Sequence, residues 1–118
     1  MPNQSDLLML RDRLRAFAAE RDWDQFHSPK NLSMALMVEA AELMEHFQWL
    51  TEAQSAGLSA ENKQAVREEL ADILLYLVRL SDKLGIDLRE AALLKLEKNA
   101  LKYPAEQVRG SAKKYSDY

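Results

Sequence analysis

The chain has 118 residues, 16 Lys and Arg against 19 Asp and Glu, a net charge of −3, and no Cys. This length accommodates one domain around one core, and nothing in the mild charge suggests a nucleic-acid-binding face or a polybasic membrane anchor. Disulfides and thiolate metal sites are excluded, no run approaches the ~18 apolar residues of a membrane span, and the N-terminus lacks the order of a signal peptide, so a cytoplasmic protein is expected.

Three Gly, three Pro and abundant Leu and Ala predict helix almost throughout, since no stretch alternates at period two. A first helix is expected from about Asp6 to Arg21, with Ser5 as N-cap and Leu7, Leu10, Leu14 and Phe17 at core spacing. The connection Asp22 to Pro29 is dense in aromatic and hydrogen-bonding groups. Trp23, Phe26 and His27 there either wall a pocket for a flat ligand or plug the end of a bundle.

Ser28-Pro29 reads as N-cap and first helical position, opening a second helix that runs to about Phe47. It carries Glu39-x-x-Glu42. At 100° per residue, Leu32, Leu36, Met37, Ala40, Leu43, Met44 and Phe47 fill an arc of roughly 140°, and Glu39, Glu42 and His46 line its edge. His46 follows Glu42 by four residues, a spacing that suits a supporting hydrogen bond rather than a ligand role.

Thr51 to Ser59 is expected as a polar loop. Ser59 then caps a third helix, the longest at ~35 Å, ending at Gly85. It carries Glu69-x-x-Asp72. With Leu70 as the zero of angle, the apolar arc holds Val66, Ile73, Leu74, Leu77, Val78, Leu80 and Leu84, bordered by Glu69, Tyr76 and Asp72. Asp87-Leu88-Arg89-Glu90 is a capping box for a fourth helix ending before Tyr103-Pro104. Lys95, Asn99 and Lys102 fall in a strip about 60° wide along it. From Ala105 to Tyr118 the chain reads as a basic tail of the same domain, with little helical pattern.

Like charges three apart on a helix cost a few tenths of a kcal/mol, so two such acidic pairs facing each other imply a cation. Four carboxylates without Cys suit a hard ion such as Mg²⁺ or Mn²⁺ shared with substrate phosphates. The lysine strip suits phosphate oxygens. Together they describe a nucleoside polyphosphate site. A di-iron bundle would need Glu-x-x-His on two helices, and no Glu here has His three places on. A nucleotide-sensing module without turnover and a purely structural helical oligomer are the remaining alternatives.

The two acidic motifs resemble the signature of the MazG-like all-α nucleoside triphosphate pyrophosphohydrolases. Arg21-Asp22-Trp23-Asp24-Gln25-Phe26-His27, Phe47-Gln48-Trp49, Glu68 to Leu77, Lys95-x-x-x-Asn99 and Tyr103-Pro104 are similar to its dCTP pyrophosphatase branch. The resemblance implies a four-helix bundle forming a homodimer or homotetramer, with Mg²⁺-dependent cleavage of a deoxynucleoside triphosphate, dCTP or a modified dCTP first, to monophosphate and pyrophosphate. It further implies Glu39, Glu42, Glu69 and Asp72 as catalytic metal ligands; the division of labour expected among them has Glu39, Glu42 and Asp72 holding the principal ion and Glu69 partly orienting the attacking water. By the same resemblance Trp23, His27 and Trp49 form the base pocket, Tyr76 and Asn99 contact sugar or phosphate, and Lys95 reaches the phosphates. The tail from Arg109 through Lys113 to Tyr115 resembles a segment that closes over the triphosphate.

Overall fold

Every long helix begins where a short oxygen-bearing side chain accepts a backbone N–H that has no partner within the helix. Ser5 accepts from Leu8, Ser28 from Asn31, Ser59 from Asn62 and Asp87 from Glu90. The computed structural model describes residues 5–112. Its elements are α1 (Asp6–Glu20), a 3₁₀ turn (Asp24–Phe26), α2 (Pro29–Glu45), α3 (Glu52–Ala56), α4 (Ala60–Lys83), α5 (Leu88–Lys102) and α6 (Ala105–Val108). Among the described residues there is no strand, and no helix is long and apolar enough to cross a membrane. The fold class is all-α, as the composition predicts.

Two segments expected to be irregular contain short helices. In the stretch after Trp49, the Thr51 hydroxyl accepts from Gln54 N while the Gln54 carboxamide accepts from Thr51 N, and this reciprocal cap nucleates α3. In the tail, Pro104 precedes the single turn of α6. Lys113 and Tyr115 lie outside the described residues.

Both α1 and α4 end in the same way, with a residue at positive φ that lets two N–H groups turn back onto the last carbonyls. After α4 that residue is Gly85, at φ 68°, and Ile86 N donates to Ser81 O at 2.9 Å. After α1 it is Asp22, at φ 54°, and Trp23 N donates to Ala18 O at 2.9 Å. Asp22 tolerates this conformation because short polar side chains can bond locally: Gln25 Nε2 donates to both its carbonyl and its carboxylate. The reversal delivers Trp23 and the 3₁₀ turn back beside α1.

The chain divides into two compact units, Met1–Ile86 and Asp87–Tyr118. In the first, α2 packs along α4 and α1 packs against α4. Ala18, Leu32, Val66 and Val78 are its buried apolar side chains, and Arg79 is buried with them. The second unit holds α5 and α6, and Leu93, Leu94, Leu96 and Leu101 are exposed in the chain.

The apolar arcs differ from expectation in which part of them the chain covers. Leu70, Leu74 and Leu84, expected on the core face of α4, are exposed, as are Met37 and Met44 of α2 and Phe17 of α1. The half-buried side of α4 instead includes Glu69, Ile73 and Tyr76. Periodicity finds apolar stripes but does not say which of them the chain covers by itself.

Arg15 and Asp82 tie α1 to the end of α4 through two parallel hydrogen bonds, Nε to Oδ2 at 2.7 Å and Nη2 to Oδ1 at 2.5 Å. The Arg15 guanidinium holds the Asp82 carboxyl below its ordinary 3.8. Asp82→Asn should therefore lower the stability by a small, measurable amount, limited by the exposure of Arg15. Because the folded pKa is depressed, the loss should be complete above the unfolded value and vanish as pH falls through the folded one. Urea unfolding of both proteins from pH 7 down to pH 3 checks this.

Candidate active site

The face of α4 that meets α2 carries two acids one turn apart, and α2 brings a third. One carboxylate oxygen from each of Glu39, Glu69 and Asp72 lies within 4.8 Å of the others. Among the described residues, no basic side chain forms an ion pair with these three acids. Instead the neighbouring Glu69 carboxyl, together with partial burial, raises the Glu39 pKa above its ordinary 4.5, with Glu42 acting in the opposite direction. Glu69 Oε2 is buried and has no hydrogen-bond partner. A buried charged oxygen left unsatisfied costs on the order of 1–3 kcal/mol or more, so this donor set fits a hard cation. Glu42 stands beside Glu39, half-buried, but is not one of the three converging acids.

A cavity of ≈ 200 Å³ adjoins these acids, and Asp72 belongs to both. Leu14, Phe17, Leu32 and Leu75 give it apolar walls, and Trp23, His27, Tyr76 and Arg79 supply the rest. Trp23 meets Phe17 edge-on at 5.7 Å between ring centroids and His27 at 6.3 Å. Partial burial and the charges of Glu39 and Asp72 push the Tyr76 phenol pKa up, so Tyr76 remains a neutral hydroxyl between the cavity and the acids. An apolar slot with a few polar groups at one end suits a flat heterocycle whose charged portion extends toward the carboxylates.

Of the residues singled out by sequence, the structure brings Trp23, His27, Asp72 and Tyr76 to one cavity and Glu39, Glu69 and Asp72 to one cluster. Phe26 does neither: it is 59% exposed and its carbonyl accepts from the Asn31 amide. Trp49 is 86% exposed and does not line the cavity. Lys95 and Asn99 lie on α5 of the second unit, Lys95 exposed and Asn99 half-buried.

Arg79 escaped the sequence reading. Its side chain is only 6% exposed, and it donates to Asp24 Oδ1 at 2.5 Å and to His27 Nδ1 at 3.1 Å. Lys83 reaches the same Asp24 oxygen at 2.6 Å, and these two cations hold the Asp24 carboxyl below its ordinary 3.8. The available signal was one arginine inside the otherwise apolar run Leu74 to Leu80. A buried charge requires partners, and the preceding connection supplies an Asp and a His.

The profile of the MazG-like family matches residues 34–118. Human dCTP pyrophosphatase 1 is 47% identical over 108 residues, covering 89% of this chain, and the Bos taurus protein of that name is 48% identical over the same length. The chain spans 64% of the length of each of these relatives. The crystal structure of a pyrophosphatase from Archaeoglobus fulgidus DSM 4304 superposes with a TM-score of 0.81 at 39% identity, covering 88% of this chain and 97% of that one. With its acidic cluster drawn from both motifs and these similarities along most of its length, the chain belongs to the MazG-like family.

Proposed function

We propose that the chain hydrolyses a deoxynucleoside triphosphate, dCTP or a modified dCTP, to the monophosphate and pyrophosphate. The observation that carries this reading is the unpartnered, buried Glu69 oxygen among three converging carboxylates, next to an aromatic cavity of base size. The names of the relatives, dCTP pyrophosphatase 1, set the choice of substrate.

In this reading Glu39, Glu69 and Asp72 hold Mg²⁺ or Mn²⁺, with Glu42 joining them from beside Glu39. The ion, when bound, supplies Lewis-acid polarisation of the phosphoryl oxygens. The chain's own groups do the rest. Trp23 and His27 hold the base, and the Tyr76 hydroxyl meets the sugar end. Glu69 orients a water whose oxygen bonds to the α-phosphorus as the bond from that phosphorus to the α,β-bridging oxygen breaks. The water proton passes to a carboxylate, and pyrophosphate leaves. Lys95 and Asn99 take phosphate and sugar contacts. Residues 1–118 act as one domain.

The proposed assembly is a homodimer or homotetramer. Met34, Met37, Val38 and Met44 follow one face of α2 and are each more than half exposed, and Leu70 of α4 is also exposed. Apolar stripes of this extent mark contact surfaces, and a second copy of the chain covers them most simply.

Three results are expected. Purified protein with Mg²⁺ and dCTP should release pyrophosphate and no orthophosphate, chelation should stop it, and Glu39→Ala or Asp72→Ala should lower kcat at least ~100-fold. Binding of dCTP without pyrophosphate release would make the chain a sensor. Glu69→Gln should melt ~2–5 °C higher than wild type without metal, because one crowding charge is gone. It should also lose both turnover and the Mg²⁺-dependent rise in Tm. In light scattering, Met37→Lys combined with Met44→Lys should reduce the particle mass to that of one chain.

A further inference from the structure

The first unit contains a buried cation that the proposed chemistry does not use. Arg79 lies between two carboxylates, Asp24 at 2.5 Å and Asp82 at 3.7 Å, and Asp82 is itself occupied by Arg15. Neutralisation alone would be served by those two acids. The Nε–H instead goes to the imidazole, 3.1 Å from His27 Nδ1. A guanidinium has five N–H donors and no acceptor. Nδ1 must therefore present its lone pair. The reversed ring would set a C–H against this donor and leave a buried N–H without a partner.

We propose that Arg79 is a positioning residue that holds His27 in the Nε2–H tautomer, so that the cavity offers its ligand an imidazole N–H donor. The proposal rests on the nucleotide reading for the identity of that ligand, a base presenting a carbonyl or ring-nitrogen acceptor. Its other parts rest on geometry alone. With Nδ1 engaged, Nε2 is the nitrogen left to a molecule in the cavity that His27 lines beside Trp23 and Tyr76.

The surroundings agree with a neutral ring. Partial burial, then Arg79 and Lys83, push the His27 pKa below its ordinary 6.5, against the opposing pull of Asp24. A second proton on Nδ1 would oppose the Arg79 donor directly. The 3₁₀ turn is held by the same contacts, since Asp24 begins it and His27 N closes it onto Asp24 O at 3.2 Å. One buried side chain thus sets both where the imidazole stands and which of its nitrogens carries hydrogen.

Long-range ¹H–¹⁵N correlation spectra of the full chain at pH 7.5 test the tautomer directly, with His46, the other histidine, removed in a His46→Gln control for assignment. The expected pattern is a protonated Nε2 and a bare Nδ1 for His27; a protonated Nδ1, or an even mixture, overturns the proposal. Arg79→Lys keeps the charge but lacks the fixed fork, and should yield a mixed tautomer. Kinetics then read the donor. His27→Gln places an N–H near the Nε2 position and should hold KM for dCTP within about threefold of wild type, while His27→Asn, whose amide mimics Nδ1, should raise KM about tenfold with little change in kcat. Equal KM values for the two variants would overturn the donor role. Absence of turnover in wild-type protein would remove the nucleotide reading and leave the spectra to decide the tautomer on their own.

Discussion

Three carboxylates whose oxygens two helices bring within 4.8 Å of one another, with no ion pair to a basic side chain among the described residues, are the constraint on which the rest of the structure depends. Helix α2 cannot pack along α4 without bringing Glu39 toward Glu69 and Asp72, so packing that buries Leu32 and Val66 also assembles a repulsive cluster. The raised pKa of Glu39 and the stranded oxygen of Glu69 are two expressions of the same unmet charge. A protein interior retains such a cluster when something from solution completes it.

Opposite this cluster in charge logic stands Arg79. There the cation is on the protein, and every group facing it accepts: Asp24, Asp82 and the His27 ring nitrogen. The aromatic cavity lies between the two arrangements, with Asp72 contributing to its wall from one side and Arg79 from the other. A molecule bound there would have its uncharged, flat part against Trp23 and Phe17 and its ionic part directed to the acids. The preorganisation comes from short connections, above all the reversal at Asp22 that returns Trp23 toward α1.

Much of this was legible in the residues. Ser5, Ser28, Ser59 and Asp87 each announce a helix start, and each caps one. The two acidic pairs announced a cluster, and three of the four acids converge. What the sequence left open has physical causes. Thr51 and Gln54 carried the capping signal of α3, but five residues are too few to show helical periodicity. The stripe through Leu70 looked like core because apolar spacing is identical whether the covering surface belongs to the same chain or to another molecule. Arg79 was passed over because a single charge in an apolar run reads as a tolerated exception until its distant partners, 52 and 55 positions earlier, are known. Phe26 and Trp23 sit three apart, yet only Trp23 lines the cavity, and Phe26 is largely exposed.

The placement of the two tryptophans has an optical consequence. One indole, Trp23, is partly shielded, with a benzene ring on one flank and an imidazole on the other, whereas Trp49 stands almost wholly in water. Indole emission moves to shorter wavelength when water is withdrawn and dims beside a quenching neighbour. The molecule thus carries two native fluorophores with separate sensitivities: one whose light changes when something enters the slot, the other when something covers the outer end of α2.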